Sequence, residues 1–249
     1  MDVDTDIGGP LHRFPVTSHS AIIAAASKDD QVRQRALETI VASYWKPAYK
    51  YIRIKWQASN EDAKDLTQSF FTTAIEKSYF AGYEAGKASF QTFFRTCLDR
   101  FVANQKKSDQ RLKRGAGQDH LSLDFAGVEN ELTSNLPAPD LNPEDFFHRE
   151  WVRSLFTLSV ETLEEFYRQT GRELHFKIFE LYDLEESAAD KVSYGSLANQ
   201  FALKTTDVTN YLAAARRDFR KILLQKVREL TGTEAEFQAE LRALGIDVK

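Results

Sequence analysis

The sequence predicts an all-α protein of two helical domains joined by an acidic linker. Three observations predict it. Apolar residues recur at three- and four-residue spacings through most of the chain, which puts them on one stripe of a helix. Residues 115–145 carry Gly, Asn, Ser, four Asp and the prolines Pro137, Pro139 and Pro143 with no sustained period, the composition of a linker. Alternating apolar and polar runs of the kind that mark strands find little support anywhere.

Taken in order, Met1 to Pro15 has acids and a Gly-Gly-Pro step where a secretory signal needs a basic start and an apolar run. The stretch Ser18 to Ala26, then Val32, Leu37, Ile40, Val41, Tyr44 and Trp45, follows helical spacing until Pro47 interrupts it. Pro47 suits the first turn of a new helix through Tyr51, Ile52 and Trp56. Ser59-Asn60-Glu61-Asp62 supplies a cap and first-turn acids for a helix to about Tyr79. Gly82 and Gly86 mark Phe80 to Ser89 as a loop, after which Phe90 to Lys113 is helical again. Beyond the linker, Phe147, Trp151, Leu155, Leu158, Leu163, Phe166, Phe176, Phe179 and Tyr182 resume the spacing, with a break at Gly171. Ser193 to Leu230 is the last strong block, and residues 233–249 form an amphipathic tail with Phe237, Leu241 and Leu244 on one side.

Composition narrows the function classes. A single cysteine, Cys97, gives no disulfide framework and no thiolate cluster, which suits a reducing cytoplasm. No run approaches the ~20 apolar residues of a membrane span. The five histidines, His12, His19, His120, His148 and His175, are scattered, and neither a zinc-protease motif nor a phosphate loop occurs. The expectation is a cytoplasmic protein with no cofactor, no metal and no catalytic site. The net charge of −4 argues against a whole-surface nucleic-acid binder. Its distribution argues otherwise: residues 95–114 carry +5 and residues 193–230 carry +4, while residues 115–148 carry −7.

Ser193 to Arg220 has the spacing of a helix-turn-helix. Leu197, Ala198 and Phe201 face inward on a first helix, Leu203 plugs the turn, and Val208, Leu212 and Ala215 pack a second helix back against it. That leaves Thr205, Thr206, Asp207, Thr209, Asn210 and Ala213 at the front of the second helix, short enough to approach base edges. Arg216, Arg217, Arg220 and Lys221 follow, where they can hold phosphates. At the turn, Ala202 stands where a glycine is common. A second stripe lies on 61–79, where Ala63, Leu66, Phe70 and Ala74 form one face and Asp62, Asp65, Ser69, Thr72 and Glu76 the other, suited to a basic protein partner.

The run Asp62 to Phe71 resembles the acidic Asp-Leu-Thr-Gln helix of sigma domain two in bacterial RNA polymerase sigma factors of the extracytoplasmic-function (ECF) group of the sigma-70 family. Tyr44 to Tyr49 is similar to the segment before it, Phe90 to Arg114 to the promoter-melting helix, and Ser193 to Arg220 to sigma domain four, in the family's order. The resemblance implies sigma domain two over residues 18–114, a linker over 115–145, sigma domain four over 146–231 and a C-terminal extension over 232–249. It implies that Asp62, Asp65, Gln68, Ser69 and Thr72 form the surface docking on the largest-subunit clamp helices of core polymerase, with its flap a further contact. Phe80, Tyr83, Arg95, Arg100, Asn104, Lys106, Lys107 and Arg111 then meet minus-ten DNA, and Thr205 to Arg220 reads the minus-thirty-five element. Phe90 and Phe94 are expected in the core, with Phe93 a further aromatic of the module.

Three departures from the family pattern matter. Ser69 stands where an acid is common and Lys64 dilutes the stripe, so phosphorylation of Ser69 or Thr72, with Thr67 a less accessible site, is expected to restore charge through a Ser/Thr kinase. The acids of 115–148 can shield the basic modules, and the tail after Leu230 can act as an autoinhibitory or partner helix, with an anti-sigma protein a further controller. The rival reading is a helix-turn-helix regulator that binds operator DNA as a dimer.

Overall fold

The computed structural model describes residues 20–109, 123–134, 142–185 and 192–246. Among them are ten α-helices and no strand. They are α1 (Ala21–Ala24), α2 (Asp30–Lys55), α3 (Asn60–Glu76), α4 (Phe90–Asp109), α5 (Phe125–Ser134), α6 (Pro143–Gln169), α7 (Glu173–Phe179), α8 (Tyr194–Gln200), α9 (Thr205–Glu229) and α10 (Glu234–Ala243). A 3-10 turn, Tyr79–Gly82, precedes α4, and a π-helical turn, Glu180–Leu184, extends α7. No described helix is long and apolar enough to cross a membrane.

Local chemistry sets the helix starts. The Asp29 carboxylate accepts from the amides of Gln31 and Val32, Ser59 accepts from Asp62, and Asn142 accepts from Glu144 with Pro143 at the first helical position. Ends are set by left-handed residues: Gly171 and Gly245 after α6 and α10, and Gln57, Ser78 and Ala202, without glycine, after α2, α3 and α8.

Two expectations about local structure are corrected. Pro47 does not divide the chain; α2 runs unbroken through it for 26 residues. A proline inside a helix costs ~3 kcal/mol, but Tyr44, Trp45, Ala48, Tyr49, Tyr51 and Ile52 on both sides of it are buried in one core, and that burial outweighs the lost hydrogen bond. The segment 115–145 is not wholly without secondary structure. α5 lies inside it, with Phe125, Val128 and Leu132 buried at helical spacing. Its acids are spent on α2: Arg53 pairs with Glu129 at 2.6 Å, Tyr49 donates to Glu129 at 2.6 Å, and Lys50 pairs with Glu131 at 2.8 Å. The rest of that segment lies outside the described residues.

The described residues form two apolar cores. The first is aromatic, with Tyr44, Tyr49, Tyr51, Phe70, Phe71, Phe80, Phe90, Phe94, Phe147 and Trp151 at its centre. Phe94 contacts Tyr44, Phe70, Phe71, Phe80, Phe90 and Phe147, each pair of ring centroids lying 4.6–6.3 Å apart. The second core gathers Leu163, Tyr167, Phe176, Ile178 and Phe179 with Leu197, Val208, Leu212 and Ala215. Two helices belong to both. α6 gives Phe147, Trp151 and Leu155 to the first and Leu163 and Tyr167 to the second; α9 gives Leu212, Ala215 and Ile222 to the second and Val227 to the first. The expected boundary between 145 and 146 therefore falls inside α6, just ahead of Phe147, Trp151 and Leu155, which complete the first core. The tail is part of that core as well, through Phe237 and Leu241 on α10.

Candidate nucleic-acid interface

α8 opens with a reciprocal cap in which Ser193 and Ser196 each satisfy the other's backbone amide. Leu197 and Ala198 are buried, and the chain turns through Phe201 to Lys204 into α9. Ala202 takes φ 53° at this turn. The amide of Leu203 donates to the carbonyl of Ala198 at 2.8 Å, closing the end of α8 and bringing Leu203 onto the second core. Val208, Leu212 and Ala215 are buried on the inner side of α9.

Thr205, Thr206, Thr209, Asn210 and Ala213 are exposed on the outer side of α9. Arg217, Arg220 and Lys221 are exposed beyond them. Asp207 and Arg216, both expected on this surface, have structural duties. The Asp207 carboxylate accepts from the amide of Lys204 at 3.1 Å and so closes the helix start. Arg216 is clamped by Asp183, its Nε and one Nη each donating at 2.8 Å, and its guanidinium lies 5.5 Å from the centre of the Tyr182 ring. The hydrogen bonds to Asp183 raise the Arg216 pKa further. Nothing in the spacing of 193–220 signals this clamp, because its acid comes from 33 residues upstream.

Behind α9, the Tyr167 hydroxyl donates to the buried Asp218 at 2.9 Å, and His175 stacks on Tyr211 at 3.9 Å. Burial, then the neighbouring Arg172, lowers the His175 pKa. α6 and α7 thereby hold the position of the exposed α9 face.

The second group of expected residues is divided by the structure. A groove of about 770 Å³ runs between the ends of α3 and α4, and Arg100 and Asn104 line it beside Tyr79, Phe93, Gln105 and Cys97. Burial raises the Cys97 pKa, so its thiol stays protonated at neutral pH. Tyr79 and Gln105 were not named singly among the expected contacts; the 3-10 turn supplies the one and α4 the other. Lys107 is exposed, and Lys106 donates to the Trp56 carbonyl at 2.8 Å while lying 5.3 Å from the Trp56 ring centre. Arg111 lies outside the described residues.

Three residues expected at minus-ten DNA are engaged within the fold. Phe80 is 1% exposed, because the 3-10 turn tucks it between Phe70, Phe90 and Phe94 and leaves no face for a base. Tyr83 is half-buried, with its hydroxyl donating to Glu236 of α10 at 2.9 Å. Arg95 is 13% exposed and paired with Glu144 at 2.8 Å. The expectation that Phe90 and Phe94 are core residues agrees with the structure.

On α3, Ala63, Phe70 and Ala74 are buried, Asp62, Asp65 and Glu76 are exposed, and Gln68, Ser69 and Thr72 are half-buried. Asp62 also accepts from the Ser59 hydroxyl at 2.8 Å, and Lys64 is drawn to Glu61 at 2.9 Å. Thr67 is fully buried and donates to the Ala63 carbonyl at 2.7 Å, which removes it as a surface modification site. No protein family, curated protein or solved structure matches the chain.

Proposed function

We propose that the chain is a sigma-type transcription initiation factor of the ECF group, which binds RNA polymerase core and directs it to promoter DNA in the cytoplasm. The observation that carries the reading is α9, whose inner side is sealed into the second core while its first three turns present short polar side chains ahead of Arg217, Arg220 and Lys221. Short side chains let a helix approach base edges, and cations one or two turns on neutralise phosphates. The groove at α4 supports a second DNA contact, since Arg100 and Asn104 stand beside Tyr79 and Phe93, a combination suited to an unstacked strand.

The exposed carboxylates of Asp62, Asp65 and Glu76 suit the clamp helices of core polymerase. Ser69 and Thr72 border them, and a phosphate on either adds about two negative charges to that face. The test is capture of purified core polymerase, followed by transcription from a promoter library. Binding and promoter-specific transcription are expected, stronger for Ser69→Glu than for the unmodified chain. Retained DNA binding with no affinity for core polymerase would leave the operator-binding regulator instead.

A further inference from the structure

α10 is attached differently from the other helices of the first core. It buries only Phe237, Glu240 and Leu241, so one of its three buried side chains is an acid. Glu236, one turn before Glu240, reaches back to the start of α4: its Oε1 accepts from the Phe90 amide at 2.6 Å, and its Oε2 accepts from the Tyr83 hydroxyl at 2.9 Å and the Gly232 amide at 2.7 Å. The first amide of α4 thus takes its acceptor from the last helix of the fold, 146 residues away. Gly232 allows the approach, since a Cβ there would lie 2.8 Å from the Tyr83 ring. Glu240 accepts from the Gln91 amide group at 2.9 Å, and the Gln91 oxygen meets His148 Nδ1 at 3.2 Å.

No lysine or arginine pairs with either carboxylate among the described residues. The groups that face them are Tyr44 from α2, Tyr83 and Gln91 from the start of α4 and its preceding loop, His148 through Gln91 from α6, and each other. Burial lowers the His148 pKa, so it is neutral at pH 7. An ionised Glu240 is therefore a buried charge with one neutral donor and a second carboxylate for company.

We propose that α10 is a releasable latch, which holds the loop before α4 and the first turn of α4 in place and lets go when Glu240 ionises. Burial first, and then Glu236, raise the Glu240 pKa from 4.5 to about 7. The sign follows from linkage: a raised acid favours the docked helix below its free pKa and loses that contribution as pH rises through the docked one. With those two values, opening of α10 becomes about ten-fold more frequent between pH 6 and pH 8. Release exposes Tyr83 and frees the Phe90 amide, beside the groove of Arg100 and Asn104. The latch does not depend on the proposed function, although on that reading it governs access to the minus-ten surface.

Native-state hydrogen exchange on the full chain tests it. Protection factors across residues 234–243 are expected to fall about ten-fold from pH 6 to pH 8 and to lie well below those of Tyr44 to Ile52 in α2 at both pH values. Glu240→Gln should flatten the response, Glu236→Gln should shrink it, and His148→Gln should leave it in place. Loss of α10 protection only together with α2, or an unchanged slope in Glu240→Gln, overturns the latch.

Discussion

Lys50 Nζ lies 2.6 Å from Glu150 Oε2, with the two side chains only 4% and 5% exposed, and this pair ties α2 to α6 inside the first core. Removing one member strands a buried charge, which costs about 3–5 kcal/mol, whereas replacing both by apolar residues of similar volume is often neutral. Glu150→Leu should therefore lose about that much stability, and the Lys50→Met/Glu150→Leu double variant should recover most of it. Lys50 keeps Glu131 as a second partner at 2.8 Å, so the single variant belongs at the lower end. Urea denaturation of all three chains checks this; equal losses in the single and double variants would contradict it.

Ala202 holds a left-handed conformation with a Cβ that resists it. Ala202→Gly relieves the strain, offset in part by the greater freedom of glycine in the unfolded chain, for a net gain of about 0.5–1 kcal/mol. The denaturation midpoint should rise with an unchanged slope, and DNA retention should not alter. A loss of stability would mean that the turn is not left-handed in solution.

The His175 pKa is depressed by burial, then by Arg172. Its neutral form therefore stabilises the fold fully above the unfolded value near 6.5, and this contribution disappears as pH falls through the lower folded value. On acidification from pH 7.5 to 5.5, protonation of His175 works against the fold while protonation of Glu240 works for it, so the comparison between chains carries the test. His175→Phe keeps a ring against Tyr211 and removes the titration, so its denaturation midpoint should rise relative to that of the parent chain over this range. His148 is unaltered in both chains and cancels from the difference.

Arg216 and Arg217 are adjacent in the chain but differently employed. Arg217→Ala should weaken DNA retention and reduce the salt slope by about one, with the melting temperature unchanged. Arg216→Ala should also loosen the clamp on Asp183, at a cost of at most about 1 kcal/mol because the pair is largely solvated. DNA retention unaffected by either change would remove α9 as a DNA-binding element.

Features held by neighbouring residues were legible in the sequence. The inward set Leu197, Ala198, Val208, Leu212 and Ala215 followed from spacing alone, since a helix start, its turn and the returning helix lie within 30 residues. The burial of Phe90 and Phe94 and the acid stripe of α3 followed in the same way. Features that depend on distant partners were not. The continuity of α2 through Pro47 rests on tertiary packing, and the Arg95–Glu144 and Arg216–Asp183 pairs join residues 49 and 33 positions apart. α5 is an intermediate case. Phe125, Val128 and Leu132 carry a helical spacing, but the prolines and acids around them give the segment the average composition of a linker.

Because α6 and α9 each run through both apolar cores, neither core can melt while the other keeps its full set of helices. Heating should therefore give one transition whose calorimetric and van't Hoff enthalpies agree, where two independently folded modules on a tether would give two. A single extra residue in the middle of α6 would rotate everything after it by about 100° and set the two cores out of phase. The resulting chain should melt in two steps, each at a lower temperature than the intact protein.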